Sequence, residues 1–394
     1  SNKCATFVIK ASPSGTVKWF SYLDGIANKY SAYTVNMSTS GDVYASGTYG
    51  TYRSNIYNSD GSVFAGYLPQ LNENGVYLIK FDNDGFAQWQ TYIDRVSSSD
   101  LNYAVAETNS SVYIAGVSAY FPGTSLIVYN AKLTGDRLPT ASGLSTSNRA
   151  FVVKYNSSGQ AQWLVSFTGT QDTYDVTTDS DENVYSVVNY YGSSGYMVQS
   201  NGTQFSPSLS SGCVVKMTSS GFGTLAVVAD NCERVNCVGI DPTDKSFIIA
   251  GRLKGNASSG ITFYEWNGSA IVSSGVTLNP ARGSDTDAFI AKYNSSGVFQ
   301  WRAYIIHNPN KGGECIPYSV VCDSAGSVYV VGSYGNYEEV STVYSSNDVA
   351  FEYGQLPGTG SGTRLLGDAY SGGFLVKYNQ SGICQWVVIL DSNN

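Results

Sequence analysis

The stretch FVVKYNSSGQAQWLVSF, residues 151–167, decides the fold. Its first run, Phe151 to Tyr155, is β-branched and aromatic. NSSG follows, and the second run places Trp163, Val165 and Phe167 at spacing two, one face of a strand. The glycine stands where a three- to five-residue hairpin loop needs a left-handed residue. The stretch therefore predicts a β-hairpin, and it recurs. A lysine ends a short apolar run six times, at Lys10, Lys80, Lys154, Lys216, Lys292 and Lys377. Five residues later stands a glycine: Gly15, Gly85, Gly159, Gly221, Gly297 and Gly382. Nine residues after the lysine stands Trp19, Trp89, Trp163, Trp301 or Trp386, with Leu225 in the fourth copy. Between these hairpins lies a second motif, GDVYASG, SSVYIAG, ENVYSVV, KSFIIAG and GSVYVVG. It predicts a second hairpin, as in YSVVCDSAGSVYVVGSY, where CDSAG is the turn.

One full unit is thus four strands a, b, c and d, with the VY strand as b and the lysine strand as c. A fixed period of this kind marks a repeat architecture, and tandem four-stranded units predict an all-β fold, a β-propeller. The sequence also resembles the bacterial-type β-propeller repeat called the SBBP repeat. The likeness rests on DAFIAKYNSSGVFQW (287–301), YSVVCDSAGSVYVVGSYG (318–335) and GGFLVKYNQSGICQW (372–386). It departs from that pattern in its long b–c insertions and in MTSSGFGTL of the fourth lysine unit. The resemblance implies a propeller on an extracellular or surface protein and no single activity.

Five complete blades are expected at about 30–94, 101–168, 173–230, 235–306 and 316–391, within a propeller spanning 30–394. One c–d hairpin precedes them, at 4–23 within a segment 1–29. The alternative is six blade positions with one half-filled. Such a hairpin leaves a strand edge that natural proteins seldom leave open. It either completes its own chain or adds to a neighbouring copy. The spacing from the VY tyrosine, or Ile248, to the next lysine varies from 31 to 48 residues, so the insertions fall in the b–c connection. As loops on one face, they are the expected place of a surface function.

Charged residues are only 13% of the 394, with 42 Gly, 31 Tyr and one His. That composition suits an extracellular β protein. A net charge of −8 disfavours nucleic acid and anionic membranes as partners. No run approaches the ~18 apolar residues of a spanning helix. The opening SNKCATF has no basic region followed by an apolar stretch, so any signal peptide is expected to have been removed or trimmed away.

The seven cysteines form no zinc pattern. Cys232 with Cys237 and Cys315 with Cys322 are candidate disulfides, unless strand geometry points the thiols apart. Cys4 is the candidate for a bond to another chain. The in-register tryptophans, with Leu225, read as blade packing rather than a sugar-stacking platform. Trp266, out of register in FYEWNGS, is the candidate ligand contact. The lysines read as snorkelling side chains rather than a cationic ring. DSDEN (179–183) and DNDG (82–85) are turn chemistry rather than calcium loops. His307 fits no triad, and Glu265, Glu338, Glu339 and Glu352 stand in insertions. No acid repeats at matched strand positions, so no catalytic residue, metal or cofactor is expected. Eight N-x-[ST] sequons occur, at Asn36, Asn109, Asn156, Asn201, Asn256, Asn267, Asn294 and Asn379. These observations predict a non-enzymatic surface-coat or fibril subunit that binds copies of itself. The alternatives are a glycan-binding propeller and, third, a glycoside-processing enzyme.

Overall fold

The computed structural model describes residues 6–24, 31–50, 53–71, 74–94, 104–108, 110–118, 126–131, 148–190, 195–209, 211–253, 260–279, 287–306, 314–335, 342–351 and 371–390. Among them every regular element is a β-strand, in antiparallel sheets of four to six strands. No helix long and apolar enough to cross a membrane occurs among the described residues. The arrangement fits a β-propeller.

Each lysine hairpin closes for the reason its sequence suggests. Asn156 Oδ1 accepts the N–H groups of Ser158 and Gln160, and Gly159 takes φ +75°. Asn294 and Asn379 repeat this turn, and Asp82 substitutes a carboxylate. All six hairpins also shift register just after the lysine, as where Lys154 faces Trp163 but Tyr155 faces Ala161. This bulge sets lysine and tryptophan side by side on one face, here called the front.

The chain divides into two compact units. The first, Ser1–Thr178 with Tyr196–Phe205 and Ser219–Phe222, holds three sheets. Sheet 1 runs Thr6–Ala11, Val17–Leu23, Ser54–Tyr57, Val63–Leu68. Sheet 2 is Ser31–Met37, Val43–Tyr49, Gly75–Phe81 and Ala87–Asp94, edged by Ile127–Val128. Sheet 3 is Ala104–Glu107, Ser111–Val117, Asn148–Asn156 and Ala161–Thr168, followed by Gly195–Val198 and edged by Gln204–Leu209. In the second unit, sheet 4 carries Val184–Tyr190, Gly212–Met217, Gly223–Asp230, Ile261–Trp266 and Ile271–Leu278. Sheet 5 carries Cys232–Ile240, Phe247–Leu253, Ala288–Tyr293, Phe299–Ile306 and Thr342–Tyr344. Among the described residues sheet 6 has four strands, Glu314–Cys322, Val328–Gly335, Ser371–Tyr378 and Cys384–Leu390.

Two expectations are corrected here. The described parts of the b–c insertions are not free loops: each supplies strands to the outer edge of the sheet before its own. Ser54–Tyr57 comes from sheet 2's insertion yet pairs with the d strand of sheet 1, Tyr22 facing Tyr57. Phe263 likewise faces Ala229, and Val343 faces Ile305. A polar insertion satisfies its backbone this way, through an edge that would otherwise stay unpaired. The N-terminal hairpin is accordingly not a bare half blade. Its own chain extends it to four strands, and the remaining edge is Thr6–Ala11.

Candidate functional site

The insertion strands build a joint that repeats five times. At Gly85 an added Cβ would lie 2.7 Å from Trp19 of sheet 1 and 2.9 Å from Cβ of Ser59, in sheet 1's outer hairpin. The Trp19 indole N–H donates to Asn83 O at 2.8 Å, and Ser59 N–H donates to Gly85 O. Trp89 with Ala131 covers Gly159, Trp163 with Ser200 covers Gly221, and Trp301 with Ser346 covers Gly382. Their indoles donate to Ser157, Ser219 and Gln380 carbonyls at 2.8–2.9 Å. Glycine is required twice over: for the positive φ, and because the indole occupies the Cβ position.

The fifth joint, at Gly297, inverts the sizes. Leu225 replaces tryptophan, and Trp266 stands where the others have Ser or Ala, its Cβ 2.8 Å from the glycine's added Cβ. Trp266 N–H donates to Gly297 O like its counterparts. Trp266, read from sequence as a ligand contact, is thus half-buried joint packing. Glu265 shares that structural role, since Oε2 accepts Phe299 N–H as Asn58 and Asn130 accept Ala87 and Ala161.

The lysines do more than snorkel. Lys292, almost fully buried, lies 2.7 Å from Asp241, and Lys80 lies 2.9 Å from Asp42. Lys216 and Lys377 each lie 3.7 Å from Asp179 and Asp323. Lys80, Lys154, Lys216 and Lys377 also stand over the b-strand tyrosines Tyr44, Tyr113, Tyr185 and Tyr329. Acids therefore do repeat, at a–b turns rather than on strands. Burial pushes the Asp241 carboxyl up, but hydrogen bonds from Lys292 and Thr243 outweigh it and hold it below the usual range. Backbone N–H donation from Ser327 leads in lowering Asp323 to about 2. DSDEN is a turn: Asp179 accepts from Asp181, Asn183 and the Tyr185 hydroxyl. No group of three or more metal-ligating side chains occurs among the described residues.

The disulfide expectation is corrected. Cys232 and Cys237 lie on one strand, Cys315 and Cys322 on another, and all four are free thiols. Five and seven residues of strand separate such pairs by roughly 16–23 Å, beyond any bridge. Burial pushes the Cys232 and Cys322 thiols up to about 12. Cys4, His307, Glu338, Glu339, Glu352, Asn109 and Asn256 lie outside the described residues. Asn201 and Asn267 are exposed; Asn156, Asn294 and Asn379 are half-buried turn residues. Asn36 donates its amide to Val105 O.

Two sheet faces, one in each unit, carry exposed apolar residues. Phe7 and Ile9, on the back of sheet 1, are 62% and 51% exposed. The equivalent residues Tyr77 and Ile79, Phe151 and Val153, Cys213 and Val215, Phe289 and Ala291, and Phe374 and Val376 are at most 2% exposed. Phe20 on the same back face is 54% exposed. On the front of sheet 6, Val388 is 43% and Val331 39% exposed. The equivalents of Val388, namely Ser21, Thr91, Val165, Val227 and Ala303, are fully buried. Trp386, expected to be buried like its counterparts, is only half-buried, whereas Trp19, Trp89, Trp163, Leu225 and Trp301 are buried. Among the described residues no glycine turn packs on its indole. An added Cβ at Gly15 would meet nothing within 4 Å.

No protein-family profile matches the chain. It is 23% identical over 220 residues to an uncharacterized WD repeat-containing protein, L264, of Acanthamoeba polyphaga mimivirus, a match taking in 49% of this chain and 15% of that one. A solved structure of XC5397, a gluconolactonase from Xanthomonas campestris, aligns over 93% of this chain and 97% of its own at 9% identity, with a TM-score of 0.29.

Proposed function

We propose that this chain is a non-enzymatic structural subunit of an extracellular or cell-surface coat or fibril. In this reading, copies of the chain join head to tail through the exposed faces of sheets 1 and 6. The observation that carries the proposal is the pair of exposed apolar faces, Phe7, Ile9 and Phe20 on one side and Val331, Val388 and Trp386 on the other. The positions equivalent to Phe7, Ile9, Val331, Val388 and Trp386 are buried elsewhere in the repeat. Burying each such side chain is worth about 1.5–3 kcal/mol, so two unlike faces of this kind favour association. The sparsely charged, Gly- and Tyr-rich composition supports an extracellular setting. Sedimentation velocity over a concentration series, with electron microscopy of the same samples, tests it. Growth into linear or sheet-like particles is expected, and a monomer at every concentration refutes it.

A second reading is glycan binding. It is supported by a recess in the first unit lined by Phe64, Tyr67, Lys80, Gln88, Trp89 and Gln160, which pairs aromatic faces with amide and hydroxyl partners. A glycan array probed with the purified chain distinguishes it, since a coat subunit binds no sugar selectively.

A further inference from the structure

The outer strands create recesses as well as joints, and one recess lies wholly within the first unit. Its floor is the d strand of sheet 2 at residues 88–90. Its walls are the outer strand Val63–Leu68 of sheet 1 and the turn of sheet 3 at residues 157–160. The recess holds about 630 Å³, inside the ~300–1,000 Å³ range of small-molecule sites. Two of its features exceed what the fold needs. An added Cβ at Gly66 would lie 2.5 Å from the Phe64 ring, so only glycine lets that half-buried ring lie along its own strand. The other feature is Gln90, which is 3% exposed. Its Nε2 donates to Tyr67 O at 2.9 Å, which fixes which end of the amide is which. Its Oε1 then accepts no hydrogen bond among the described residues. A buried acceptor without a partner is costly, so the recess asks for a donor beside an aromatic ring. Among the described residues that line it, Lys80 alone is charged, and Asp42 at 2.9 Å neutralises it.

The second unit holds its own recess at the same register, on the d strand of sheet 5. Lys292, Trp301, Ser346 and Gln380 stand there for Lys80, Trp89, Ala131 and Ser157. At the place of Gln90 stands Arg302, paired with Asp348 at 2.5 Å, and its Nε is buried without a partner among the described residues. One place in the repeat thus offers a neutral acceptor in the first unit and a charged donor in the second.

We infer that the recess of the first unit binds a neutral pyranose, with its C–H face on the Phe64 ring and one hydroxyl donating to Gln90 Oε1. This deepens the glycan-binding reading above and rests on it. A pyranose carries an apolar face and a rim of hydroxyl groups, and these walls present the matching pair, an aromatic ring and a fixed amide acceptor. Ser158 and Gln160, both exposed, supply further hydroxyl and amide partners at the rim. A carboxylate on the sugar would meet the lone pairs of Gln90 with Lys80 already paired, so the recess selects neutral sugars over acidic ones.

The test is a saturation-transfer NMR titration of the full 394-residue chain with the methyl glycosides of glucose, galactose and mannose, and with glucuronate. At least one neutral glycoside should show transfer, and glucuronate none. Gln90→Met removes the acceptor at nearly the same volume, and Phe64→Ala removes the ring. Each should weaken binding roughly three- to tenfold, the worth of one neutral hydrogen bond or one ring contact. Arg302→Met, in the other recess, should leave binding unchanged. If Gln90→Met fails to fold, Phe64→Ala decides, because its ring is half-buried on an outer strand. Glycosides that bind both variants as tightly as the unaltered chain, or that are lost in Arg302→Met, overturn this recess but leave glycan binding standing. Glucuronate bound as well as the neutral sugars overturns the neutral class. No transfer from any of these sugars, while a glycan array still shows binding, overturns the pyranose recess alone. A blank array as well removes the reading beneath it.

Discussion

The size exchange at Gly297 makes a quantitative demand. Four joints pair a tryptophan with Ser or Ala; this one pairs Leu225 with Trp266. If the two side chains share one volume, their substitutions must be strongly coupled. Removing a fully buried tryptophan costs about 3–5 kcal/mol. Trp266 is half-buried, so Trp266→Ser should cost about 2 kcal/mol. Leu225→Trp alone, against the resident Trp266, overpacks the joint and should cost about 1–3 kcal/mol. The double variant recreates the Trp19–Ser59 arrangement. It also gains an indole donor for Ser295 O, which Lys216 already approaches at 3.3 Å, much as Lys154 and Trp163 share Ser219 O. It should therefore lie within about 1 kcal/mol of the unaltered chain, a coupling of about 2–5 kcal/mol. Calorimetry reads this directly. For a unit of this size 1 kcal/mol moves the midpoint by roughly 2–4 °C, so Trp266→Ser should lose roughly 4–8 °C and the double variant should recover most of it. Additive losses, or a double variant worse than either single one, would show that Leu225 and Trp266 do not share a site.

Further outcomes follow from the same geometry. Gly85→Ala meets both a strained φ and the Trp19 ring and should cost about 2–5 kcal/mol. Gly15→Ala meets strain alone and should cost about 1–2 kcal/mol; equal losses in denaturant titrations would discount the joint. Lys292→Met strands a buried Asp241 and should cost about 3–5 kcal/mol, whereas Lys245→Met, breaking the exposed pair with Asp181, should cost no more than about 1 kcal/mol. Asp241, Asp323 and Asp348 are all held below the usual carboxylate range. Their contribution is complete above the unfolded value near 4 and is lost as pH falls through the folded values. Unfolding midpoints should thus hold from neutral pH to about 5 and fall below about 4, less steeply in Asp323→Asn; a fall already complete by pH 5 would assign it to other groups. Deleting residues 1–24 removes Trp19 and the strand that Ser54–Tyr57 pairs with. The first unit should be measurably destabilised in a thermal scan, and an unchanged midpoint would contradict sheet 1.

The sequence carried the hairpins because their determinants are local. Asn or Asp at the turn start, glycine five after lysine and tryptophan nine after are backbone requirements written at fixed offsets. The outer strands were not legible, because nothing fixes their distance from the turns they cover. Ser59 precedes Gly85 by 26 residues, but Ser346 precedes Gly382 by 36. A varying offset hides a repeat. Trp266 and Glu265 looked like free agents for that reason, although they occupy the positions of Ser59 and Asn58. The repeating acids were missed for a second reason. Asp179, Asp241 and Asp323 open a–b turns, where aspartate is ordinary, and only their lysine partners across the sheet give them meaning.

A repeat array built from directional joints presents two unlike surfaces wherever it does not close on itself. Soluble repeat proteins usually hide that necessity under terminal repeats with polar outer faces. The exposed faces of sheets 1 and 6 do the opposite. Phe7, Ile9 and Phe20 stand where a cap would carry Lys, Glu or Ser, and Val331 and Val388 stand where sheets 1 to 5 bury their fronts. Polar residues were available, since the chain is rich in Ser, Thr and Asn and spends them freely on turns and insertions. Nor does strand packing within each sheet need apolar residues at these places, because the opposite face of each strand already carries the local core: Val8, Trp19 and Leu23 in sheet 1, and Phe374, Val376 and Val387 in sheet 6. Apolar side chains retained on a face that its own sheet leaves bare are best explained by something that covers that face. Within each unit the surface that fits the back of such a sheet is the front of another.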